Sequence, residues 1–136
     1  MTAEVVQRRF ADESHEVVRV IGGKKIYRRR PCRKCPFRVD AVGEFPAEAF
    51  RLSANTAYDM ADAQFGCHEQ RTKKPATCAG FLLTCHHNLA VRMAVAGQML
   101  DLSKIDDGGH VLYESYRAMA IANGVDQNDP VLKNCR

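Results

Sequence analysis

The chain has 136 residues, 46% of them hydrophobic, and carries 20 Lys or Arg against 16 Asp or Glu for a net charge of +4. That length supports one compact core and excludes two independent ones. The longest apolar run is far short of a membrane span, and Met1-Thr-Ala-Glu-Val5 lacks the basic and apolar regions of an export signal, so a cytoplasmic, non-membrane protein is expected.

Charge is unevenly placed. Residues 1–38 hold 11 Lys or Arg against 4 Asp or Glu, whereas residues 39–136 hold 9 against 12. The first segment with a structural signal is also in this basic third. Val17-Val-Arg-Val-Ile21 and Lys24-Lys-Ile-Tyr-Arg28 flank Gly22-Gly23, a pair that tolerates the positive φ of a tight turn, which predicts a β-hairpin between residues 16 and 29. Val5 to Phe10 offers a further strand. Arg28-Arg-Arg-Pro31 then delivers the chain to Cys32.

Pro46 suits a first helical turn, since its missing N–H would be unbonded there anyway, and a helix is expected over 46–53. Ser53 to Asp62 either continues helical after a break or does not. Apolar residues at 82, 85, 89, 93 and 96 lie on one helical face and predict a single long helix over 79–96. A last helix is expected over 110–123, with Leu112, Tyr116, Met119 and Ala120 inward and Gly124 at the C′ position, before an irregular tail from Asp126.

The chemistry is concentrated in the cysteines. Cys32, Cys35, Cys67 and Cys78 are spaced C-x2-C-x31-C-x10-C. A C-x2-C pair presents both sulfurs to one ion through a tight loop, and further ligands arrive from wherever the fold brings them. In a reducing compartment such a cluster binds metal or reacts rather than forming disulfides. Cys78, at the start of the 79–96 helix, meets unpaired N–H groups that favour a thiolate. Cys85 and Cys135 are read as small buried hydrophobes.

Split spacing in the second half departs from the two close pairs usual in structural zinc sites, and Fe–S clusters accept more varied spacings. A [4Fe-4S] cluster is therefore placed first and a single zinc second. Phe37, Phe65 and Phe81 each lie within three residues of a ligand and would keep water from the centre. His68 is the alternative ligand, replacing one thiol, while His86 and His87 are read as surface or hydrogen-bonded histidines.

Pro31-Cys-Arg-Lys-Cys-Pro-Phe-Arg38, Phe45-Pro-Ala-Glu48, Phe65-Gly-Cys-His68, Cys78-Ala-Gly-Phe-Leu-Leu83, His87-Asn-Leu-Ala-Val-Arg92 and Tyr113 to Gly124 together resemble a family of small proteins from phage and actinobacterial genomes whose function is unknown. The resemblance covers about residues 31–124. It implies no activity, but its cysteine motifs map onto Cys32, Cys35, Cys67 and Cys78. It also implies a bacterial cell or a phage-infected host as the setting.

Two function classes follow. In the first, a non-enzymatic metalloprotein binds nucleic acid or the transcription machinery through Arg28, Arg29, Arg30, Arg33, Lys34 and Arg38, held around the Cys32/Cys35 loop for phosphate contacts. Four-cysteine iron–sulfur transcription regulators of actinobacteria and their phages are similar in this general design, although their cysteines are spaced differently. In the second, the centre is a redox device or a metal-dependent enzyme, with Glu69 as a conceivable base, but no H-x-E motif, phosphate-binding glycine loop or nucleophile elbow is present. A plainer alternative is a metal that only staples a protein-interaction module. The expected architecture is a single α+β domain over 1–136: a hairpin extension over 1–30, a mostly helical core over 31–124 built on the four-cysteine centre, and a tail over 125–136.

Overall fold

A computed structural model describes residues 4–21, 26–67 and 76–136. The fold is α+β, an antiparallel β-hairpin followed by short helices. Strand β1 (Glu4–Phe10) pairs with β2 (Glu16–Ile21) in the register Arg9↔Val17 and Gln7↔Arg19, with a bulge between Val5 and Gln7.

The expected N-terminal hairpin exists, and its described pairing joins Val17–Ile21 to the strand expected over Val5–Phe10. The turn is made by Asp12, whose Oδ1 accepts from the backbone N–H groups of Ser14 and His15, each at 2.8 Å. An Asp followed two residues later by a Ser supplies its own turn geometry. Gly22 to Lys25 lie outside the described residues. Tyr27, assigned to the second arm, instead bridges Thr77 in parallel.

Helix α1 (Ala47–Ser53) matches the expected 46–53 and continues into a 3₁₀ turn at Ala54–Ala57. The predicted 79–96 helix is two helices, α2 (Ala79–Thr84) and α3 (Leu89–Ala96). Asn88 breaks it. Its Oδ1 caps α3 by accepting from Val91 N–H at 3.1 Å, while its Nδ2 donates to the carbonyls of Thr56 and Ala63 at 2.8 and 2.9 Å. A buried amide with three partners fixes a break that helical periodicity would have bridged. The break resets the phase: Val91 and Ala94 face the core, and Met93, expected inside, is 65% exposed.

Helix α4 (Tyr116–Ala122) starts six residues later than the expected 110, because Ser115 caps it by accepting from Ala118 N–H at 3.0 Å. Tyr116, Met119 and Ala120 are buried as expected, and Gly124 takes the positive φ of +102° that ends the helix. The tail is not loose. Pro130–Leu132 forms a 3₁₀ turn capped by Asp129, Leu132 is fully buried, and Cys135 bridges Tyr58.

The core is one cluster in which Phe37, Phe50, Phe81, Leu82, Tyr116, Met119 and Leu132 surround the cysteines. Tyr116 crosses it, and its hydroxyl donates to Phe50 O at 2.7 Å and meets Ser53 Oγ at 2.8 Å. Among the described residues no helix is long and apolar enough to cross a membrane.

Candidate metal centre

The four motif cysteines come from three pieces of chain, each shaped by local bonding. Cys32 and Cys35 lie on successive turns: Cys35 N–H donates to Cys32 O at 3.1 Å, and Arg38 N–H to Cys35 O at 3.0 Å. Arg38 clamps this loop from outside. Its Nη1 donates to Cys32 O at 3.3 Å and Arg33 O at 3.0 Å, and Asp40 holds the guanidinium at 2.6 and 2.8 Å.

Cys67 and Cys78 share a short antiparallel ladder in which Gly66 opposes Thr77. Cys67 N–H donates to Ala76 O at 2.7 Å and Cys78 N–H to Phe65 O at 2.8 Å. Because side chains alternate along such a ladder, both cysteines project from the face opposite Thr77. The other side of Thr77 is tied to residues 26–28, since Thr77 N–H donates to Ile26 O at 2.8 Å and Thr77 O accepts from Arg28 N–H at 3.0 Å. Cys78 is the N-cap residue of α2, the placement expected from the sequence.

The pieces meet in the core. Cys35 Sγ and Cys78 Sγ lie 3.5 Å apart although 43 residues separate them, and all four thiols are buried, none more than 4% exposed. Gly80 permits this approach: a Cβ there would lie 2.6 Å from Phe37 Cβ and 2.8 Å from Cys35 Sγ. For the Cys35 thiol, a hydrogen bond with Cys32 favours ionisation, but the adjoining Cys78 thiol and burial outweigh it and push the thiol up to about 12. Phe37 sits at the hub of an aromatic group, edge-on to Phe65 at 5.2 Å and to Phe81 at 6.3 Å. Among the described residues no group of three or more His, Cys, Asp or Glu side chains is arranged to hold a metal ion.

The remaining candidates separate clearly. All six cysteines are free thiols. Cys85 is pushed up to about 12 by burial and then by Cys135, and Cys135 to about 11 by burial, so both are inert neutral thiols at ordinary pH. His87 Nε2 is 2.7 Å from Ala57 O, and His86 is exposed beside Leu83 O. Neither reaches toward the motif cysteines through these bonds. His68 and Glu69 lie outside the described residues.

Of the basic residues, Arg29, Arg33 and Lys34 are exposed beside the Cys32/Cys35 loop. Arg30 is exposed but pairs with Asp106 at 3.3 Å, and Arg28 is half-buried with Nε 3.5 Å from Arg30 O. Arg38 is a structural clamp rather than a free cation. Sequence reasoning missed that clamp and missed Gly80. An Arg two residues before an Asp, and a Gly inside an otherwise apolar helix, were the available signals.

No curated protein and no solved structure matches the chain. A family model described as a family of unknown function (DUF6283) matches residues 27–136, which takes in all four motif cysteines, α1 to α4 and the tail, and leaves the β1–β2 hairpin outside. The chain belongs to this family of unknown function.

Proposed function

We propose that this chain is a small non-enzymatic metalloprotein in which Cys32, Cys35, Cys67 and Cys78 close on one metal ion, and that the Cys32/Cys35 loop presents Arg29, Arg33 and Lys34 to nucleic acid. The observation that carries the reading is the 3.5 Å approach of Cys35 Sγ to Cys78 Sγ inside the core. Two thiolates on one tetrahedral zinc stand about 3.8 Å apart when each Zn–S bond is about 2.3 Å. In a [4Fe-4S] cubane each thiolate binds a different iron at its own corner, which spreads them further. The close pair therefore favours zinc over the cluster.

Burial favours a structural centre over a catalytic one, since a catalytic metal keeps a coordination position open to water or substrate. Cys32, hydrogen-bonded to Cys35, already lies beside the Cys35/Cys78 pair. A thiolate site of this kind belongs in a reducing compartment, so a bacterial or phage-infected cytoplasm is the proposed setting. Exposed cations on a loop pinned by a metal match a phosphate-bearing partner, such as DNA or an RNA-containing transcription complex.

The test is metal analysis with an absorption spectrum on protein purified anaerobically. One zinc per chain in a colourless sample is the expected result. Iron with acid-labile sulfide and a brown colour would replace zinc by the cluster, and substoichiometric metal of every kind would overturn the centre altogether. Binding to duplex DNA should then weaken steeply as salt rises, and a triple replacement of Arg29, Arg33 and Lys34 by Ala should flatten that slope. Absence of DNA binding at low salt would remove the nucleic-acid part while leaving the metal intact.

A further inference from the structure

Between the β1–β2 hairpin and the helical body lies a cleft of about 800 Å³, outside the cysteine centre but reaching Cys67 at one end. Its size is that of a small-molecule site. The register Arg9↔Val17 and Gln7↔Arg19 puts Gln7, Arg9, Val17 and Arg19 on one face of the hairpin, and these four residues line the cleft. The opposite wall is largely apolar and includes Phe45, Leu52 and Phe65.

Two guanidinium groups therefore share one face across from an apolar wall. Among the described residues neither Arg9 nor Arg19 has a carboxylate partner. Of the two carboxylates along the rim, Glu16 is taken by Arg8, and Asp62 is exposed. Arg9 is fixed in place by Nη2, which donates to Leu52 O at 2.9 Å, while its Nε–H is buried with no acceptor. A charged donor left unbonded in a folded protein is costly and uncommon, and a small turn of the Arg9 side chain would bring it to an oxyanion in the cleft.

We infer that the cleft binds a small organic anion, its carboxylate or phosphate oxygens on Arg9 and Arg19 and its apolar body against Phe45, Leu52 and Phe65. The pairing of one oxyanion with an aromatic or aliphatic body follows from the two walls. Guanidinium recognition is shared by carboxylates and phosphate monoesters, so the anion's chemistry is fixed and its source is what the experiment separates. No metal enters this proposal, which stands on the hairpin face and the apolar wall alone.

Calorimetric titration of the full chain at low salt with 2-naphthoate, 2-naphthyl phosphate and neutral 2-naphthylmethanol tests it. At least one anion should bind saturably at one per chain, at least tenfold tighter than the alcohol; preference between the two anions identifies the headgroup. Arg9→Gln should weaken that binding at least tenfold, and Lys133→Gln, exposed in the tail and outside the cleft, should leave it unchanged. Should Arg9→Gln fail to fold by circular dichroism, Arg19→Gln takes its place, and the anion-to-alcohol ratio on unaltered protein decides in any case. No saturable binding of either anion, equal binding of the alcohol, or an Arg9→Gln protein that binds like the parent would overturn the inference.

Discussion

Gly80→Ala tests the close packing of α2 against the Cys32/Cys35 loop. The added methyl would lie 2.6 Å from Phe37 Cβ and 2.8 Å from Cys35 Sγ. Carbon atoms pack comfortably at about 3.5 Å or more, so the overlap with Phe37 is about 1 Å. Neither obstacle yields cheaply, because one is a Cβ fixed to the backbone and the other a sulfur held between Cys32 and Cys78. Overpacking of this kind costs up to about 3 kcal/mol, and alanine's better helix propensity returns at most about 1, leaving a net loss of about 2 kcal/mol. For a domain of this length that corresponds to a fall in Tm of roughly 8 °C. Thermal unfolding of both proteins by circular dichroism, with and without one equivalent of zinc, reads the effect. Zinc should recover less stability in the variant, since the same methyl displaces a ligand. A variant melting at or above the parent temperature would refute the packing of α2 against the Cys32/Cys35 loop.

Asn88→Ala removes the α3 cap and leaves the Thr56 and Ala63 carbonyls without their donor. The sum of a lost cap and unsatisfied buried acceptors is about 3 kcal/mol, to be measured by urea unfolding. Arg38→Ala releases the carbonyls of Cys32 and Arg33 and should weaken zinc binding about tenfold or more in a chelator competition, as loss of outer-shell support does elsewhere. Arg33→Ala should not. Because the Cys35 thiol is held up to about 12 in the metal-free protein, it is protonated throughout the neutral range, and zinc must displace that proton. Apparent zinc affinity should therefore rise with pH between 6 and 8, by about tenfold per unit for each proton released, and fall on acidification. A flat profile would show that Cys35 is not a ligand.

What could be read from the sequence was whatever depended on local chemistry. Pro46 opens α1 where its missing N–H is harmless, Gly124 ends α4 because only a residue at ease with positive φ fits there, and Cys78 falls at a helix start. Tertiary satisfaction of polar groups was hidden. Asn88 looked like one polar residue within an apolar repeat, and only the arrival of the Thr56 and Ala63 carbonyls makes it a helix breaker. The pairing of Val17–Ile21 with residues 4–10 was hidden for a related reason, since it depends on Asp12 accepting from the N–H groups of Ser14 and His15 in a turn that exists only in the folded chain. The cysteine spacing named residues that enter a shared core, but the closeness of Cys35 to Cys78 depends on Gly80, which carries no side-chain chemistry to notice.

The docked tail makes contacts that close very long loops of chain. Cys135 Sγ donates to Ala54 O across 81 positions, and Arg51 reaches Asp129 across 78. Helical chains ordinarily fold fast because their contacts are local, whereas closing loops of this length is the slow step familiar from sheet proteins. On a ribosome, residues 32 to 78 emerge long before Leu132 can plug the far side of the core, so the thiols pass through a stage in which they are assembled but uncovered. The tail thus acts as a late stopper, and a metal bound as proposed would have to enter before it closes.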